Sequence, residues 1–169
     1  MSATERTKRF FRLNEVLIAD GLMSEDMLTG QSFEELVPPT EWRLCAEFTL
    51  TAEINELYAF SLDESNPRYS SSTGARVAHP IALVQLGTRP VLRQFPVRVT
   101  EGQSSLHAKM ECEFLRPIFV GETYQEEGRL AEKYVRRGRK YVVTEGRFRA
   151  EDGHGVLRYR HTRMVGTEV

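Results

Sequence analysis

The period at which apolar residues recur changes along the chain, and the change divides it. Leu106, Ala108, Met110, Cys112 and Phe114 alternate with His107, Lys109, Glu111 and Glu113. Period two predicts a strand with one buried face. Tyr124 to Val135 predicts a second strand. Val142, Thr144, Gly146, Phe148 and Ala150 line one face of a third, and Val156 to Val165 is the fourth. Arg116-Pro117 and Gly121-Glu122 bracket the first turn. Arg136-Arg137-Gly138-Arg139 and Asp152-Gly153 supply hairpin turns, glycine taking positive φ without steric cost. The four strands predict an antiparallel meander.

Upstream the pattern is mixed. Trp42, Leu44, Ala46 and Phe48 alternate with Arg43, Cys45 and Glu47, so Glu41–Leu50 predicts a short half-buried strand. Thr51 can cap a helix that follows, Glu53 suits its positive end, and Ile54, Leu57, Tyr58 and Leu62 share one face to about Ser61. Asp63 to Pro67 ends it, because proline cannot continue a helix. After the polar Ser70–Gly74, Val77 to Leu86 is almost wholly apolar, which predicts a helix buried all round. It starts near His79, breaks at Gly87, and is extended with a kink by Arg89-Pro90-Val91-Leu92. In the first part of the chain Phe10, Leu13, Leu17 and Leu22 fall at helical spacing, with Gly21 as a stop. Pro38-Pro39 forces extended chain. A buried helix needs apolar cover, and a curved sheet wrapped around it supplies that cover. The expectation is an α+β protein: an extension over residues 1–39 and one domain over 40–169.

Composition narrows the function classes. The chain has 169 residues, 40% apolar and 28% charged, the profile of one globular domain. A net charge of -1 and a pI of about 6.4 give no electrostatic reason to expect nucleic acid or an acidic membrane as partner. Cys45 and Cys112 form no CxxC pair and read as reduced thiols, with a disulfide left open. The longest apolar stretch, Pro80 to Leu86, is too short to span a bilayer, and no secretory signal opens the chain. A cytoplasmic location is expected. His107, His154 and His161 have no ligand spacing, so no metal site is expected. Arg136, Arg137, Arg139 and Lys140 read as a solvated hairpin tip or, second, as an attractor for the phosphates of a carrier.

The stretch Tyr58-Ala59-Phe60-Ser61-Leu62-Asp63-Glu64-Ser65-Asn66-Pro67-Arg68-Tyr69 resembles the signature of MaoC-like hydratases and dehydratases, whose loop reads roughly Gly-Asp-x-Asn-Pro-Leu-His. Val77-Ala78-His79-Pro80 stands where that family opens its buried helix. Leu28 to Leu36 is similar to its lead-in, Phe114 to Thr123 to its strand–turn–strand phrase, and Lys133 to Thr144 to its hairpin, so the likeness runs over about residues 28 to 165. It is nearest the branch that forms N-terminal halves of fused dehydratases or subunits of heterodimeric ones. The resemblance implies a hotdog fold. It also implies a hydro-lyase on acyl thioesters, hydrating a 2-enoyl group or dehydrating a 3-hydroxyacyl group on coenzyme A or a carrier protein, with no further cofactor.

Such chemistry needs a base for water, an acid for the α-carbon and donors for the enolate oxygen. In the family an Asp and a His five residues apart hold the water, and an amide at the buried helix's N-terminus holds the thioester oxygen. Alignment on Asn66-Pro67 puts Glu64 at the Asp, Tyr69 at the His and Pro80 where the family often has Gly. Glu64 is one methylene longer, a phenol is a poor base at neutral pH, and proline has no amide hydrogen. The candidate catalytic residues are therefore Glu64 and Tyr69, with Asp63 as fallback. The candidate substrate-binding residues are Asn66, His79, Ile81 and Ala82. Each has a plainer reading: Asp63 and Glu64 as solvated helix-end carboxylates, Asn66 as a turn builder, Tyr69 as packing, His79 as a hydrogen-bonded cap. Two alternatives stand beside the hydro-lyase. One is a non-catalytic hotdog subunit whose partner chain supplies the Asp/His pair; the other is a hotdog thioesterase. All three expect a dimer, a homodimer by default or a heteromer with a second hotdog chain, because a lone sheet leaves an edge open.

Overall fold

The computed structural model describes residues 30–64, 66–70, 76–100 and 103–168. The helix expected around residues 10–22 and most of the polar loop 70–74 lie outside them. Among the described residues are five strands, β1 Arg43–Thr49, β2 Gln103–Phe114, β3 Thr123–Arg136, β4 Arg139–Ala150 and β5 Gly155–Glu168, and three helical segments, α1 Ala52–Ser61, α2 Pro67–Ser70 and α3 Pro80–Gln94. All strand pairs are antiparallel, in the order β1-β3-β4-β5-β2.

The order corrects the expected meander. Strands β3, β4 and β5 do follow one another through tight turns, with Arg137 and Gly138 at φ 51 and 73 and Gly153 at φ 80. Strand β2 does not join β3; it pairs with β5 at the far edge. The link after β2 is held at the start of α3 by Ala78 N–H to Ile118 O at 2.7 Å and Val120 N–H to Arg76 O at 2.9 Å. Chain pinned there cannot make the short turn that a β2–β3 hairpin needs.

Helix α3 crosses the concave face, with Ala82, Leu83, Val84 and Val91 buried beneath it. The expected break at Gly87 is absent, and the helix runs on through Pro90 to Gln94. Gly87 is a packing residue instead: a Cβ there would lie 2.0 Å from Phe148 Cζ and 2.5 Å from Glu126 Oε1. Nor is α3 buried all round, since Ile81 is 38% exposed and Gln85 is exposed too.

Two strand faces differ from the alternation. In β1 the register shifts between Leu44 and Ala46. Trp42 therefore lies on the outer face, between the guanidinium groups of Arg129 and Arg147 at 4.7 and 4.3 Å, while Phe48 meets Phe148 on the inner face. Strand β2 buries neither face within the single chain, with Leu106 and Phe114 45% and 42% exposed, because only β5 flanks it.

A carboxyl group sits under the helix. Glu126 is fully buried, its Oε1 lies 2.7 Å from Tyr159 Oη, and Tyr159 Oη lies 3.2 Å from Gly87 O. A single phenolic proton cannot serve both contacts. It goes to Glu126 Oε1 or to Gly87 O, and Glu126 Oε2 is buried without a partner. Burial pushes the Glu126 carboxyl up to about 8, against the smaller opposing effect of its bond to Tyr159.

Two outcomes follow. Gly87→Ala should cost about 1–3 kcal/mol, despite alanine's better helix propensity, as a lowered urea midpoint at unchanged m-value. For Glu126 the folded-state value is raised, so its contribution is full below the ordinary carboxylate range and is lost as pH rises toward 8. Glu126→Gln should flatten the fall in melting temperature of the wild type between pH 5 and 8.

Candidate active site

The loop that carries the candidate residues is built by the end of α1. Thr51 Oγ1 caps the start of that helix by accepting from Ile54 N–H at 3.3 Å. At the other end Asp63 takes the left-handed conformation, φ 52, which Asp tolerates better than most residues. Asp63 N–H donates to Phe60 O and Glu64 N–H to Ala59 O, at 3.1 and 2.8 Å, closing a Schellman-type cap. The reversal directs Glu64 back into the loop, where its Oε1 accepts from Asn66 N–H at 2.8 Å. Asn66 Oδ1 accepts from Arg68 N–H at 3.0 Å and so starts α2, with Pro67 in its first position. The proline expected only to stop a helix also begins one.

One side chain missed by the sequence reading fastens this loop to α3. Asn55 is fully buried in α1. Its Nδ2 donates to Tyr69 O at 2.9 Å, and its Oδ1 accepts from His79 N–H at 2.7 Å. Arg76 adds Nε to Tyr69 O at 3.2 Å and a 3.0 Å ion pair to Glu56. The Tyr69 ring lies 5.2 Å from that of His79, tilted by 59°. The signal available in the sequence was an asparagine between the apolar positions Ile54 and Leu57, one step off the expected face.

The start of α3 decides what oxyanion donors exist. His79 is its N-cap, and Nδ1 accepts from Ile81 N–H at 3.3 Å. Ala82 N–H donates to His79 O at 3.0 Å, and Pro80 has no donor. The amide of Ile81 is thus held only by a long bond to an imidazole that can rotate away, whereas Ala82 is held by backbone. Glu64 keeps Oε2 for a further donor, since a carboxylate accepts about four bonds. Contacts link Glu64 to Asn66, Asn66 to Tyr69 and Tyr69 to His79. Asp63 is exposed.

The basic hairpin lies at the other end of β3. Lys140 is paired with Glu34 at 2.6 Å, and Lys133 donates to Phe33 O and Glu34 O. Arg136, Arg137 and Arg139 remain exposed around a cleft of about 610 Å³ shared with Lys109, Tyr134 and Tyr141.

No model of a known protein family matches the chain, and no curated protein does. Solved structures do match. An unliganded R-hydratase from Pseudomonas aeruginosa is 18% identical, with a TM-score of 0.63, covering 83% of this chain and 89% of its own. The HadBC 3R-hydroxyacyl-ACP dehydratase complex from Mycobacterium tuberculosis gives 17% and 0.62 over 76% and 97%. A MaoC-like dehydratase gives 18% and 0.65 over 80% of this chain but 44% of its own, so the match there spans under half of a longer protein. The chain shares the hotdog fold of these proteins.

Asn55→Ala would leave Tyr69 O and His79 N–H without their buried partner. A loss of about 2 kcal/mol or more in urea unfolding is expected, together with faster amide exchange at Tyr69 and His79 than elsewhere in α1 and α3.

Proposed function

We propose that this chain is a hydro-lyase acting on acyl thioesters, hydrating a 2-enoyl group or dehydrating a 3-hydroxyacyl group. The observation that carries the reading is the Asn55 bridge, which fastens the loop bearing Glu64 and Tyr69 to the N-terminus of the buried helix. In the hydration direction Glu64 Oε2 accepts a proton from water as the oxygen bonds to the β-carbon. The double-bond electrons move into the thioester carbonyl, and the Ile81 amide, released by His79, donates to the resulting enolate oxygen at a helix N-terminus. Tyr69 holds the water as a hydrogen-bond donor. The proton returns from Glu64 to the α-carbon, so that H and OH add across the bond in sum. Coenzyme A or a carrier protein bears the acyl group, and no other cofactor enters.

The assembly fits the same scheme. Strand β2 presents an unpaired edge of 12 residues with exposed Leu106 and Phe114 beside exposed Leu115. Pairing two such edges about a two-fold axis joins two sheets and covers those side chains.

A second reading has its own support. Pro80 and the engagement of Ile81 by His79 weaken the oxyanion site, as expected of a subunit whose hotdog partner supplies the chemistry. Purified chain mixed with a short and a medium 2-enoyl-CoA decides. Loss of the conjugated-thioester absorbance without free thiol is expected, falling about a hundredfold or more in Glu64→Gln. Thiol release instead would mark a thioesterase. Silence alone, with activity on adding a second hotdog chain, would establish the partner-dependent subunit.

A further inference from the structure

On the concave face, toward the β5–β2 side, a group of polar side chains meets, and among the described residues no carboxylate is bonded to any of them. Register puts Thr144 of β4 opposite His161 of β5, His107 of β2 opposite Arg163 of β5, and Ser105 opposite the next inner residue, Val165. His107 Nδ1 and His161 Nε2 are 2.9 Å apart and their rings stack at 4.9 Å, so both project from the same face. Thr144, His161 and Arg163 are only 1%, 5% and 8% exposed. Arg163 Nε and Nη2, His161 Nδ1, Thr144 Oγ1 and Ser105 Oγ are all buried without a hydrogen-bond partner.

Folding does not leave a guanidinium buried and unpaired unless something else takes the charge. The neighbours do not take it. Burial, then Arg163 and His107, hold His161 down at about 4, so it is neutral at neutral pH. Arg163, drawn by burial to about 10, stays cationic. Carboxylates on this side are engaged elsewhere, Glu126 with Tyr159 and Glu34 with Lys140. The arginines of the outer face have their own acids: Arg147 with Glu127, Arg129 and Arg160 with Glu145.

The unpartnered nitrogens, Nε and one Nη, form the side of the guanidinium that a carboxylate grips with both oxygens. One cation matches one negative charge, which favours a carboxylate over a phosphate dianion. We propose that Arg163, with Thr144, Ser105 and the His107–His161 pair, binds the terminal carboxylate of a short dicarboxylic acyl group presented as a thioester. The thioester half of this statement rests on the reading above, whereas the carboxylate half stands on Arg163. Two-fold pairing of β2 runs the two strands antiparallel, so the Phe114 end of one, where α3 begins, meets the Gln103 end of the other. The loop of Glu64 and Tyr69 in one protomer then lies toward the Arg163 cluster of its partner.

The test compares succinyl-CoA with butyryl-CoA by titration calorimetry on the full chain, since the two differ only in a terminal carboxylate or methyl. Succinyl-CoA should bind about tenfold tighter or more. Arg163→Met should bring it to the butyryl level and leave butyryl-CoA unchanged. Arg163→Lys, which keeps the charge without the fork, should keep only part of the preference. Equal binding of the two thioesters and of their coenzyme-free counterparts by the wild type overturns the proposal. So does Arg163→Met if it weakens both alike or dissociates the dimer with no change in preference. Should that variant not fold, Thr144→Val must narrow the succinyl preference for the proposal to stand. Monomethyl succinate against methyl butyrate, followed by the His107 and His161 ring resonances, separates the two readings. A preference there with none between the thioesters removes the thioester half and keeps the carboxylate site. Enoyl hydration with no carboxylate preference in either pair removes this inference alone.

Discussion

The structure hangs on how closely α3 approaches the sheet at Gly87. With no Cβ in the way, Phe148 and the Glu126 carboxyl fill the space a side chain would take, and Tyr159 reaches the Gly87 carbonyl. Dispersion and apolar burial supply the attraction, but only a helix this near gains them in full. The same approach fixes the helix along its length. Its first turn is thereby set against the β2–β3 link, where Ala78 meets Ile118, and every group at the candidate site takes its place from that.

Three of the buried polar groups are resolved in different ways. Asn55 spends both ends of its amide on backbone and converts a loop into a fixed corner. Burial pushes the Glu126 carboxyl up to about 8, with Oε1 bonded to Tyr159 and Oε2 without a partner. Arg163 keeps Nε and Nη2 buried without a partner. The outer face of the same sheet pairs its charges across strands and stacks two arginines on Trp42, at small gain per pair. Among the described residues, the buried guanidinium of Arg163 has no such acid beside it.

At the start of α3, the helix cap engages the amide that the proposed reaction would use. His79 stabilises the helix by taking Ile81 N–H, and Pro80 fits the first turn while removing a donor. Under the proposed function, a thioester oxygen would displace the imidazole to be held there. That bond is 3.3 Å long, and Tyr69 packs tilted on the His79 ring.

The sequence by itself determined what is local. Turn residues placed the β3–β4 and β4–β5 hairpins, Thr51 placed the start of α1, and period-two patterning placed the inner face of β4, because each depends on neighbours a few residues away. The apolar run after His79 announced a central helix, and the Asn66-Pro67 loop announced its type. Tertiary structure alone decided the rest. Gly87 reads as a break until Phe148 is known to fill its place. The shift at Leu44–Ala46 sends Trp42 and Phe48 to opposite faces and leaves no mark in the alternation. Strand β2 shows one apolar side but lies at an edge, since pairing with β5 is a choice among strands distant in sequence. Asn55, Glu126 and Arg163 look like ordinary polar positions along the chain. Their meaning comes from which backbone, hydroxyl or empty partner the fold sets against them, and burial makes each of those contacts costly to lose.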